Sequence, residues 1–253
     1  MLRTNKMMNR AAATVALLSV TAFTGQAMAD AFNFVAPDGW SVGDVNTTYQ
    51  DWGTFTTKTG NLPNLGSSVN PSITSAATVD VTGGGFVAGS GNFYSFSSDH
   101  GFIADIYNHG GSSGTGGLSV GSGTHVIVQT SSTLNGSAGV YASTLEIVDH
   151  AGNTIAGGNN ASALRHNVIF EGIVPSTFGD VMQREEIWEF YLPNYVGDFR
   201  VQADVIVHSS FDQLRVDSAI ADSAFAITAI PEPASLALLG LGGLIAGLRR
   251  RQK

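Results

Sequence analysis

Short runs of β-branched and aromatic residues, each cut off by glycine, serine, threonine or asparagine, fill the chain from Asp30 to Ile230. This punctuation leaves little choice of architecture. Glycine supplies 31 of the 253 residues, well above a usual share of about 7%. No window sustains the helical repeat of about 3.6 residues; residues 211–221 come nearest, and only weakly. Strands joined by turns, with no helices between them, predict an all-β fold, an antiparallel β-sandwich of which a jelly roll is one form.

The strand candidates are residues 101–107, 124–131, 139–149, 165–173, 185–192 and 199–209. Alternation is clearest in the last. There Phe199, Val201, Ala203, Val205 and Val207 face one way and Arg200, Gln202, Asp204 and His208 the other, as in a strand half buried on a sheet. Asp149-His150-Ala151-Gly152-Asn153 reads as a hairpin turn, and the glycine- and serine-rich stretch 112–123 as a loop. With no clean internal repeat, one domain is expected over residues 30–230.

Charge and composition exclude several function classes. Residues 30–230 hold five basic side chains (Lys58, Arg165, Arg184, Arg200, Arg215) against 19 acidic ones, a balance of −14. Such a surface repels phosphate backbones, so nucleic acid is not a partner. The chain has no cysteine, which excludes disulfides, thiolate metal sites and cysteine nucleophiles.

Glu185, Glu186 and Glu189 invite a glycosidase reading, because two carboxyls about 5–9.5 Å apart can divide acid and base duties across a glycosidic bond. On a strand, however, Glu185 and Glu189 share one face at too great a separation, and Glu186 points the other way beside Trp188. The run is therefore expected to be surface charge. His100, His109, His125, His150, His166 and His208 never fall in a close pair with metal-ligand spacing. No cofactor is expected, apart from the opening for a structural calcium held by backbone carbonyls with Asp99, Asp105 or Asp212. Trp40 and Trp52 flank an acidic, polar stretch, which makes them the candidates for a carbohydrate-stacking platform.

The two ends carry the sharpest signals. Arg3, Lys6 and Arg10 precede an apolar run over residues 11–23, and Ala27-Met28-Ala29 stands before Asp30. That is the pattern of a secretory signal peptide, so residues 1–29 are read as a signal helix removed by signal peptidase, with Ala27 and Ala29 at the cut. At the other end Pro231-Glu232-Pro233 leads into an uncharged run over residues 234–248, closed by Arg249, Arg250 and Arg251. Two prolines fix φ and remove two backbone donors, leaving an extended segment that suits a protease cleft. As a transmembrane helix the apolar run would be about 22 Å long, short of a hydrocarbon core of roughly 30 Å. The arginines would stop it on the cytoplasmic side. Transient insertion in the inner membrane follows.

Triplet, short apolar helix and terminal arginine cluster, in that order, resemble the PEP-CTERM sorting signal of Gram-negative bacteria. The resemblance covers residues 231–253 alone. It implies recognition of Pro231, Glu232 and Pro233 by an exosortase, a membrane cysteine protease, and a setting of exopolysaccharide production. The expectation is an exported, non-enzymatic cell-surface or extracellular-matrix protein associated with exopolysaccharide. A glycan-active hydrolase and a self-associating structural subunit are its rivals.

Overall fold

A computed structural model of the chain describes residues 34–41, 44, 46–64, 77–107, 123–136, 139–158, 163–176 and 179–230. The expected signal helix and transmembrane helix lie outside the described residues, as does nearly all of the stretch 112–123. Among the described residues there is no helix, and twelve strands form two antiparallel sheets. In chain order these are β1 (Thr47–Trp52), β2 (Thr78–Gly83), β3 (Phe86–Val87), β4 (Phe93–Tyr94), β5 (His100–Ile106) and β6 (Gly123–Thr133), then β7 (Glu146–Asp149), β8 (Thr154–Gly157), β9 (Ala163–Ser176), β10 (Gly179–Leu192), β11 (Phe199–Val205) and β12 (Ser210–Ala221).

The larger sheet has the order β3-β4-β12-β6-β10-β9, with β1 also paired to β12; the smaller runs β2-β5-β11-β7-β8. Alternation along each strand sends one set of side chains between the sheets. Val126, Val128, Trp188, Phe190, Leu214 and Val216 from the larger sheet join Val79, Phe102, Ala104, Ile147, Val201 and Val205 from the smaller in one buried cluster. The sheets therefore face each other across a shared core. Phe55 stacks on Phe93 and Phe102 on Phe211 within it.

Two expected runs divide differently. Of residues 139–149 only Glu146–Asp149 is a strand, with Val140 making a single bridge to Val205. Residues 199–209 stop at Val205, because the chain turns at His208, where φ is +64°, before β12 begins. Residues 211–221, nearest to a helical pattern, form a strand. Its register slips between Phe211 and Gln213, so the core-facing Phe211 and Leu214 stand three apart and blur the strand period of two. The hairpin turn falls where expected: Gly152 takes φ +88°, and both carboxylate oxygens of Asp149 accept from Asn153, at 2.8 and 2.7 Å.

The central strands of the larger sheet are buried on their outer face as well. Two segments cross that face, residues 34–41 near the amino end and residues 222–230 near the carboxy end. Val35 and Trp40 pack with Ile127, Ile187 and Ala219, and Phe225 and Ile230 close over them.

Candidate functional site

Both aromatic candidates of the expected platform are in the interior. Trp52 is fully buried, because β1 sets it opposite Leu214 on the core face, and its indole nitrogen donates to the Asn61 carbonyl at 2.9 Å. Trp40 is buried beneath the carboxy-terminal segment, with its ring centroid 4.9 Å from Phe225 and 5.1 Å from His125. Neither offers a ring face to a sugar. The acidic run is corrected as well: Glu185, Glu186 and Glu189 are only 2%, 3% and 0% exposed. β10 lies between β6 and β9, and both of its faces are covered. The predicted division of faces is kept, with Glu186 beside Trp188 and Glu189 on the outer side.

Buried charge on that outer face has a function in the packing. Glu189 Oε1 accepts from the Arg165 guanidinium at 2.9 Å and from the Thr228 amide at 3.0 Å, while Arg165 donates to the Thr228 carbonyl. Both polar groups of one peptide segment are thus satisfied by a buried ion pair, which removes the penalty of covering them. The Gln129 amide does the same for Val35, accepting from its N–H at 2.7 Å and donating to its carbonyl at 2.9 Å. His125 Nδ1 accepts from the Phe225 amide at 3.1 Å, and burial pushes its imidazole down to about 4. The two segments are also tied to each other, since Asp38 accepts from the Ala229 amide at 2.7 Å. They form a clasp that reaches Ile230, the residue before the Pro-Glu-Pro triplet.

The opposite outer face, that of the smaller sheet, carries an open cavity of about 340 Å³. Thr82, Ser143, Thr144, Glu146, Gln202 and Asp204 supply its polar wall. Gln202 donates to Glu146 at 2.7 Å and Thr154 to the other carboxylate oxygen at 3.0 Å, so Glu146 is fixed. Asp204 is exposed. Between Thr82 and Asp204 in the sheet, Gly101 is closely packed: a Cβ there would lie 2.5 Å from the Ala203 carbonyl and 2.9 Å from the Thr82 hydroxyl.

Among the described residues no three acidic or imidazole side chains gather where they could share an ion. The three aspartates named for calcium are apart and engaged. Asp99 accepts from the Val207 amide, Asp105 pairs with Arg200, and Asp212 accepts from Asn92 and Thr133 at 2.8 and 3.0 Å. Burial pushes Asp212 up to about 7.

Pro231, Glu232, Pro233, Arg249, Arg250 and Arg251 lie outside the described residues, as do Ala27 and Ala29. The carboxy-terminal segment itself decides the sorting question. Residues 229–251 match the family model of the PEP-CTERM protein-sorting motif. The chain carries a PEP-CTERM sorting signal. That signal marks an exported protein sorted to the cell surface, with exosortase as its processing partner. No curated protein and no solved structure matches the chain. The PEP-CTERM motif therefore accounts for the tail, and the sandwich has to be read from its own surfaces.

Sequence reading missed the clasp because its donors and acceptors are far apart in the chain. Arg165 and Thr228 are separated by 63 residues, and Gln129 and Val35 by 94. One signal was available for the cavity: the alternating Gln202 and Asp204 on the polar side of the run 199–209.

Proposed function

We propose that this PEP-CTERM protein is a non-enzymatic surface or matrix protein whose sandwich associates with exopolysaccharide through the polar cavity of the smaller sheet. One observation carries the reading. The cavity lies on the outer face of one sheet, and the clasp that leads into the sorting tail lies on the outer face of the other. A chain held by its tail would turn that cavity away from the membrane. Hydroxyls, an amide and carboxylates around an open space of this size match the many hydroxyls of a sugar chain. The reading invokes no cofactor, and signal peptidase and exosortase act before the sandwich meets its ligand.

The hydrolase rival finds less support. It drew on Glu185, Glu186 and Glu189, all buried, with Glu186 held 2.9 Å from His166 Nε2 and Glu189 held by Arg165. The test uses purified residues 30–230 and the polysaccharide of the producing strain. Retention without release of reducing ends is expected, and Asp204→Ala weakens it. Turnover that Glu186→Gln abolishes would replace this reading with the enzymatic one.

A further inference from the structure

The cavity of the smaller sheet carries charge that the protein leaves uncompensated. Its two charged side chains are the carboxylates of Glu146 and Asp204, and no lysine or arginine lines it. Glu146 stands opposite Gln202 across the β7–β11 ladder, and Asp204 is the next residue of β11 on that face. Diagonal neighbours of this kind are about 7–8 Å apart. Glu146 accepts from two neutral groups, the Gln202 amide at 2.7 Å and the Thr154 hydroxyl at 3.0 Å. A carboxylate has about four acceptor positions, so these donors orient it and leave room for a third. The Asp204 backbone is pinned, its amide donating to the Thr144 hydroxyl at 2.9 Å and its carbonyl accepting from the Tyr141 amide at 2.8 Å, while the residue stays exposed.

The bases of the domain are committed elsewhere. Arg165, Arg184, Arg200 and Arg215 each pair with a carboxylate outside the cavity. Arg200, one rung from Gln202 on the same face, is held by Asp105. Lys58 is exposed beside β2, and β5 and β11 separate that strand from β7. Among the described residues neither Glu146 nor Asp204 is in an ion pair.

We propose that the cavity binds a cationic glycan, one whose sugar units carry free amino groups, with Glu146 and Asp204 taking the ammonium. The inference rests on the reading of that cavity as a glycan contact and names the class of sugar. An ammonium donates three hydrogen bonds and accepts none, which suits two carboxylates and a hydroxyl such as that of Thr82. Calcium would collect about six to eight oxygens, and among the described residues no three acidic or imidazole side chains gather to supply them. The rest of an amino sugar suits the same wall. Its hydroxyls have Ser143 and Gln202 as partners, and the half-buried Ile103 offers a surface to its C–H bonds. A uronate or sulfated chain is repelled by the two carboxylates and by the −14 of the domain.

The test runs the full-length chain in mild detergent through native gels cast with the producing strain's polysaccharide, either untreated or N-acetylated with acetic anhydride. Acetylation removes the charge of each amine and leaves linkages and hydroxyls in place. The untreated polymer should retard the wild type, and the acetylated polymer should not. Glu146→Gln and Asp204→Asn should each weaken binding about tenfold at unchanged melting temperature. Asp180→Asn removes an exposed carboxylate of the larger sheet and should bind like wild type. Equal retardation by both polymers overturns the amino-sugar assignment, and the cavity reading then stands only if Gln202→Ala weakens binding. Cavity variants that bind like wild type overturn it too, as does an Asp180→Asn variant that weakens as much as they do, since the attraction would then be general. A wild type that neither polymer retards defeats both readings.

Discussion

Arg165 and Glu189 stand opposite each other on β9 and β10, 2.9 Å apart, and between them hold the amide and the carbonyl of Thr228. The pair is nearly sealed from water, with side-chain exposures of 10% and 0%. Removing one partner leaves a buried charge with no counterion. Arg165→Met should therefore cost about 3–5 kcal/mol in urea unfolding. The double variant Arg165→Met with Glu189→Leu should cost less than Arg165→Met alone. A double variant that costs the sum of the two single ones would mean that the charges act independently.

His125 gives the clasp a pH limit. Burial holds the folded imidazole down at about 4, below an unfolded value near 6.5. Its contribution to stability is complete above the unfolded value and is lost as pH falls toward 4. Protonation there also removes the acceptor of the Phe225 amide. The protection of the Phe225 amide against hydrogen exchange, taken relative to the intrinsic rate at each pH, should fall between pH 7 and pH 4.5, and His125→Gln should flatten that dependence.

Asp212 works in the opposite sense. Burial raises its folded value to about 7, above an unfolded carboxyl near 3.9. Its contribution is complete below the unfolded value and lost as pH rises through 7. Asp212→Asn should raise stability more at pH 8 than at pH 5, by about 2 kcal/mol. Thermal unfolding at the two pH values checks this, and equal effects at both would place the cause elsewhere.

Trp52 is a core residue whose loss no neighbour can repair. Trp52→Ala should destabilise the sandwich by about 3–5 kcal/mol and leave the Asn61 carbonyl without its indole donor. Trp40→Ala should cost less and act locally, raising protease sensitivity of residues 222–230. Equal global destabilisation by both would mean that the clasp unfolds only with the sheets.

Pro231-Glu232-Pro233 replaced by three alanines should leave full-length protein in the inner membrane of the producing strain. Immunoblots of membrane and culture fractions read the result. Normal release of that variant would make the tail a passive anchor.

Much of this fold was legible because glycine breaks and β-branched runs act locally. β5, β6, β9 and β10 fall on runs visible in the sequence, and the Asp149–Asn153 turn follows from its own side chains. β12 was obscured by the bulge at Asp212, which shifts the core-facing positions by one. The tail was legible for the same local reason, since its three elements are contiguous. The site was not. Whether Trp40 meets water depends on a segment more than a hundred residues away in the chain. Tyr94 at the end of β4 and Phe96 two residues beyond it were the one local clue to exposed rings.

The clasp also sets where tension enters the molecule. If the tail is held while the glycan side is dragged, the pull reaches Ile230 and passes through Thr228 into β9 and β10, and through Phe225 into β6. Those strands lie side by side in the larger sheet, with β6 also paired to β12. Load is thereby spread over neighbouring ladders instead of unzipping one terminal strand, and the first linkage to yield would be the clasp, leaving the sandwich closed.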